Sequence, residues 1–137
     1  DSSTLRLTSS GTIEAWIYPT GYPSSGSDWD VIINKGDWGA GHNNYSIYYS
    51  SNTNLVFEVR GATNNAVIST SNSITPLNRW THLAMTWDGS VIKTYINGIG
   101  GSQTAMVENP NTSGWDLFLG GITNSYIING KIDIKNK

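Results

Sequence analysis

Cysteine is absent from this 137-residue sequence. That excludes a disulfide framework, a redox centre and any thiolate metal site. Charge is scarce as well, at 13% of residues, and the net value of −2 comes without any Lys/Arg cluster. Neither nucleic acid nor an anionic membrane surface would find its electrostatic counterpart here. No apolar run approaches the roughly 18 residues that a helical membrane span needs. Only two histidines are present, His42 and His82, so zinc and copper lack ligands.

What the chain has instead is Ser, Thr, Asn and Gly between short apolar runs. This is the makeup of a β protein with many turns. In Gly11-Thr-Ile-Glu-Ala-Trp-Ile-Tyr18, Ile13, Ala15 and Ile17 alternate with Thr12, Glu14, Trp16 and Tyr18, and Pro19 stops the ladder. The same reasoning predicts strands at 31–34, 45–49, 55–60, 66–68, 80–87, 90–96, 103–107, 117–119 and 131–134. About ten short strands, with no helix required, define an all-β sandwich or barrel within a single domain spanning 1–137. Because the chain opens at Asp1 with neither initiator Met nor signal peptide, it is expected to be a domain excised from, or truncated relative to, a larger protein.

The sharpest local signal is Asp88-Gly89, set between Trp80-Thr-His-Leu-Ala-Met-Thr-Trp87 and Ser90-Val-Ile-Lys-Thr-Tyr-Ile96. Asp-Gly favours a two-residue hairpin turn. A turn centred there places His82 opposite Tyr95, its ring packed on that tyrosine. Leu83, Met85, Ile92 and Ile96 then share the core face, while His82, Ala84, Lys93 and Tyr95 share the other.

Five segments, in order, carry a family resemblance: Gly11-Thr-Ile-Glu-Ala-Trp-Ile-Tyr-Pro19, Ile33-Asn-Lys-Gly36, Trp80-Thr-His-Leu-Ala-Met-Thr-Trp-Asp-Gly89, Tyr95-Ile-Asn-Gly98 and Gly130-Lys-Ile-Asp133. Together they resemble the laminin-G-like, concanavalin A-like jelly-roll domains of surface proteins and polysaccharide-degrading enzymes. The resemblance implies two antiparallel sheets, a glycan or an extracellular protein as partner, frequent structural calcium, and an extracellular or cell-surface location. The lack of cysteine favours an exported bacterial protein. The sequence departs from the family at both ends. The sheet expected to hold Leu5-Arg-Leu7 and 132–134 should therefore expose a pairing edge, through which a homodimer could form.

Relatives on this fold include glucanases with a Glu-x-Asp-x-x-Glu strand, which this sequence lacks. Glu14, Glu58 and Glu108 each stand alone within their segments, whereas glycosidases work with paired carboxylates. The chain is therefore read as non-catalytic. Calcium needs only hard oxygens. Its candidates are Asp28, Asp30, Asp37, Asp116 and Asp133, with Asp28, Asp30 and above all Asp133, the last residue of the Gly-Lys-Ile-Asp motif, put forward as ligands.

Six Trp and seven Tyr are many for this length, and aromatic faces stack on the apolar C–H faces of sugars. Trp16, Trp80 and Trp87 lie inside strands and are assigned to packing. Tyr22, Trp29, Trp38, Trp115 and Tyr126, in or beside loops, and His42, in the same loop as Trp38, are the candidate ligand contacts. The expected function is carbohydrate binding, with neutral glycans preferred for want of a basic cluster. An adhesion or scaffold domain that recognises protein is the alternative, and a glycoside hydrolase a distant one.

Overall fold

The protein is described by a computed structural model that covers residues 3–24, 29–37, 44–51, 54–111, 114–122 and 126–133. Ten strands run in chain order: β1 Gly11–Pro19, β2 Asp30–Lys35, β3 Tyr45–Tyr49, β4 Asn54–Arg60, β5 Asn65–Ser71, β6 Thr81–Trp87, β7 Val91–Ile96, β8 Ile99–Ala105, β9 Leu117–Leu119 and β10 Gly130–Asp133. They form two antiparallel five-stranded sheets. Sheet A has the order β10-β1-β6-β7-β8, and sheet B the order β5-β4-β3-β2-β9. Among the described residues no helix is long and apolar enough to cross a membrane.

Strand alternation decides what lies between the sheets. Ala15, Ile17, Leu83, Met85, Trp87 and Ile92 of sheet A meet Ile33, Tyr45, Ile47, Tyr49, Leu55, Phe57 and Val59 of sheet B in one buried cluster. Tyr45 and Trp87 touch across it, with ring centroids 5.5 Å apart. Two-sheet packing of this kind is a jelly-roll sandwich whose core is the summed inner faces.

The β6–β7 hairpin closes one residue later than Asp88-Gly89 suggests. Asp88 Oδ1 accepts from the amides of Ser90 and Val91 at 2.9 and 3.0 Å, an Asx turn that makes Gly89 and Ser90 the central pair. Gly89, at φ 88°, takes the left-handed first position that such a turn reserves for glycine. Tyr95 therefore pairs with Ala84 rather than His82, and Leu83 pairs with Ile96. A shift of two residues leaves every side chain on its expected face, so Leu83 and Met85 are in the core as the alternation requires. The next hairpin is equally tight. Asn97 and Gly98, at φ 52° and 79°, form the two-residue loop between Ile96 and Ile99. It starts β8 four residues before the 103–107 segment read from sequence.

The N-terminal segment also departs from expectation. Ser3–Leu5 is a 3₁₀ turn, so Leu5-Arg-Leu7 is not a strand. Leu7 plugs the core instead, and the Leu5 carbonyl accepts from the Tyr45 hydroxyl at 3.0 Å. β10 is the outer strand of sheet A on the β1 side.

On the opposite side β5 approaches β8, and a carboxylate closes the gap. Glu108, three residues past β8, accepts from the amides of Thr63 and Asn64, from Asn64 Nδ2 and from the Thr63 hydroxyl. It thereby clasps the β4–β5 turn. These hydrogen bonds, the Thr63 hydroxyl first, hold its pKa down at about 2. A lowered folded-state pKa means that the clasp stabilises fully above the ordinary carboxylate value and is lost as pH falls through the folded one. Between pH 4.5 and 2 the wild-type protein should therefore lose more stability than Glu108→Gln, as chemical denaturation at stepped pH would show. Parallel pH profiles would rule the clasp out.

Candidate functional site

The outer face of sheet B departs from the usual polar, solvated surface. With Tyr45, Ile47 and Tyr49 turned to the core, Ser46 and Tyr48 of β3 point away from it, as do Val56, Glu58 and Arg60 of β4. Register sets Asn34, Ser46 and Glu58 side by side across three strands, with Val31, Tyr48 and Val56 in the adjacent row. All six are buried. The apolar row carries Trp29 and Ile122 packed on it.

Two fixed groups follow from this floor. The Trp29 indole lies on the Tyr48 ring, centroids 5.3 Å apart and planes 9° from parallel. The Arg60 Nε donates to Glu58 Oε1 at 2.9 Å, with the arginine side chain 26% exposed and the glutamate 3%. Burial, and then the Glu58 charge, push the Tyr48 hydroxyl above its ordinary pKa, so it stays a neutral hydrogen-bonding group. Asn34 Nδ2 donates to the Gly36 carbonyl at 2.8 Å. Among the described residues, Asn34 Oδ1 and Ser46 Oγ are buried without a hydrogen-bond partner. Leaving such a group so costs about 1–3 kcal/mol, and this pair sits at the centre of the polar row.

Three of the expected ligand contacts gather around β2. Trp29 enters it. The Tyr126 carbonyl accepts from the Val31 amide at 2.9 Å, beside the bridge between Val31 and Ile127. The Trp115 carbonyl accepts from the Lys35 ammonium at the other end of the strand. Burial, with Arg6 nearby, lowers the pKa of that lysine. Trp115 and Tyr126 are both exposed. Trp38, His42 and Asp28 lie outside the described residues.

Tyr22 is elsewhere. It packs edge-on against Tyr49 at 5.4 Å and donates its hydroxyl to the Thr75 carbonyl at 2.6 Å, so its ring and hydroxyl are both engaged inward. The acidic candidates separate too. Asp30 is buried in β2, where its carboxylate accepts from the Asn129 amide and Nδ2 at 3.3 and 3.4 Å. Asp133 ends β10 in the other sheet, paired with Trp16. Among the described residues, no three His, Asp or Glu side chains come together as metal ligands.

Sequence reasoning passed over Tyr48, Glu58 and Arg60. A signal was available: a carboxylate and a guanidinium two residues apart, at alternate positions of the otherwise apolar strand Asn54–Arg60, share one face. His82 was assigned a ring partner that it lacks. It lies against Trp16, at 5.2 Å and 51°, not Tyr95. Trp87 is buried as expected of a packing residue, whereas Trp16 and Trp80 are 39% and 46% exposed. Both belong to the outer face of sheet A.

Two antiparallel sheets packed face to face, with no helix longer than a 3₁₀ turn among the described residues, place the chain in the class of jelly-roll β-sandwiches. It belongs to the concanavalin A-like lectin/glucanases superfamily, whose laminin G model matches residues 1–134. No curated protein matches its sequence. Among solved structures it is similar to the CBM40 domain of the Ruminococcus gnavus IT-sialidase bound to α2,3-sialyllactose (TM-score 0.72, 14% identity, 98% of this chain and 81% of that one). It is also similar to domains LG4-5 of the mouse laminin α1 chain (TM-score 0.67, 10% identity, 93% and 34%). A third is domain 4 of a GH43 extracellular arabinanase from Geobacillus stearothermophilus in complex with arabinotriose (TM-score 0.60, 19% identity, 94% and 60%). At these identities the shared property is the fold.

Proposed function

We propose that this chain is a non-catalytic carbohydrate-binding domain of an extracellular protein, taking a neutral glycan on the outer face of sheet B. The observation that carries this reading is the pre-set pair of binding groups: an indole held parallel on Tyr48 and a guanidinium held by Glu58. Stacking on a ring and hydrogen bonding from an oriented guanidinium are what a sugar needs, and fixing both beforehand removes the cost of ordering them. The Arg60 charge is already balanced by Glu58, so no net positive field is left for an acidic sugar. Two of the similar structures hold an oligosaccharide, sialyllactose in one and arabinotriose in the other, which supports a glycan as ligand; the preference for an uncharged one rests on the balanced Arg60–Glu58 pair alone.

A glycan array spanning neutral and acidic sugars tests the reading. Signal confined to neutral glycans is expected, and a blank array would overturn it. Repeating the array in calcium and in chelator tests whether binding also needs a structural cation, for which Asp133, in the other sheet, would be a ligand away from the glycan. The adhesion reading rests on a different observation: Leu119, Ile127, Ile128 and Ile132 line an apolar cleft of about 470 Å³ between β9 and β10. Selective capture of a protein partner through that cleft, with no glycan bound, would favour it. Self-association would use β10, an outer strand. Sedimentation at increasing concentration tests for it.

A further inference from the structure

Sheet A has an outer face of its own, and its composition is unexpected for a surface with no task. Trp16, on β1, and Trp80, immediately before β6, are 39% and 46% exposed. Tyr18, two residues along β1 from Trp16 and on the same side, has its ring 5.6 Å from that of Trp80. The Lys131 ammonium lies 5.7 Å from the Tyr18 centroid. Beside Trp16 is a cleft of about 390 Å³ lined by Glu14, Trp16, His82, Asn97 and Asp133. The strand register accounts for the gathering. Trp16 pairs with His82 on one side and Asp133 on the other, so three strands each send one functional side chain to the same row.

The cleft is built rather than accidental. His82 Nε2 is 3.4 Å from Glu14 Oε2, and the His82 ring rests against Trp16. The His82 amide donates to Asn97 Oδ1 at 2.9 Å, which fixes the Asn97 side chain in the tight Asn97-Gly98 turn. An indole wall, two carboxylates and an amide offer one stacking surface together with acceptors and donors for hydroxyl groups.

We propose that this face is a second glycan platform, separate from that of sheet B, on which an extended, uncharged polysaccharide segment lies across β1. One sugar ring stacks on Trp16, with its hydroxyls bonded to Glu14, Asp133 and Asn97. A neighbouring ring meets Trp80 and Tyr18. Two residues along a strand separate Trp16 from Tyr18 by about 7 Å, which suits successive units of one chain rather than a single compact sugar. Glu14 and Asp133 oppose an anionic polymer. Because the two sheets present their outer faces in opposite directions, the domain can hold two polysaccharide strands and link them. The proposal takes its ligand class from the proposed function but uses none of that site's residues.

Affinity electrophoresis through gels containing arabinan, xylan, mixed-linkage β-glucan or galactomannan tests it, with polygalacturonate as the anionic control. On the polymer that retards the wild-type chain, Trp16→Ala/Trp80→Ala should weaken binding about five- to tenfold, while Trp29→Ala retains part of it. The wild-type chain should also raise turbidity with that polymer, and each of these variants should abolish the effect. Neither ring belongs to the buried core between the sheets, so the double variant should fold, at a lower melting temperature because part of each indole is packed on its neighbours. If it does not fold, Glu14→Gln/Asp133→Asn replaces it, with the same loss expected.

Loss of all retardation in Trp29→Ala alone would overturn the second platform and leave the function standing. Retardation unchanged in the sheet A variants would do the same. Full retention in Trp29→Ala, with loss in the sheet A variants, would uphold the platform and remove the sheet B site. No retardation of the wild-type chain by any of the four neutral polymers would overturn both.

Discussion

Replacing Leu83 by alanine is expected to lower the unfolding free energy by about 2–5 kcal/mol, the range that buried leucine truncations cover. Leu83 is 0% exposed and sits in the central strand of sheet A, with β1 on one side and β7 on the other. It pairs with Ala15 and Ile96, and its side chain joins the cluster shared by both sheets. Small neighbours such as Ala15 cannot swing in to fill the space, so the cavity term should be felt along with the transfer term. With about 2.1 cal/mol/K of unfolding entropy per residue, the melting temperature should fall by roughly 7–17 °C. A shift of under 2 °C in a calorimetric scan would mean that the register and face assigned to β6 are wrong.

That face was legible from sequence, and the reason is parity. Alternation in 81–87 and 91–96 specifies inside and outside whatever the turn does, because hairpin shifts of two residues conserve faces. The turn itself was not legible. Asp-Gly and Asn-Gly are both two-residue hairpin signals. Only the Asp88 carboxylate, bonding forward to Ser90 and Val91, moves the first turn by one residue, while Asn97-Gly98 forms a tight loop in place. Short-range composition cannot distinguish a side chain that caps the turn from one that merely occupies it.

The candidate site divides in the same way. Loop aromatics were visible as loop aromatics, and Trp29, Trp115 and Tyr126 do border one strand. What brings them there is long-range pairing of β2 with residues about 80 and 95 positions on, which no local pattern encodes. The partial exposure of Trp16 and Trp80 was hidden for a related reason. Alternation places Trp16 on the face opposite Ile17, yet an indole inside an apolar-looking strand reads as packing unless the sheet's outer face is known to be uncovered. Glu14 looked isolated because its companions, His82 and Asp133, come from β6 and β10.

Trp29→Ala is expected to remove about 1–3 kcal/mol of glycan binding, the loss that anchor residues at recognition sites commonly show, or roughly 5- to 150-fold in affinity. The size follows from how the ring is held. Trp29 is stacked on Tyr48, and that tyrosine is 6% exposed, sharing its face with Glu58 and hence with Arg60. A ligand stacking on the indole therefore meets a surface already fixed in place. Truncation removes the stacking area and also uncovers Tyr48, whose ring cannot rise to substitute because its strand is central in sheet B. The fold should tolerate the change, since Trp29 precedes β2 and caps only the smaller apolar cluster with Val31 and Val56. Titration calorimetry with the strongest neutral glycan from the array gives the comparison. Arg60→Ala should show a loss of similar direction through hydrogen bonding instead of stacking, and Trp29→Phe should recover part of the affinity because the parallel platform is kept. An unchanged dissociation constant in both alanine variants, with thermal unfolding intact, would place the glycan away from sheet B.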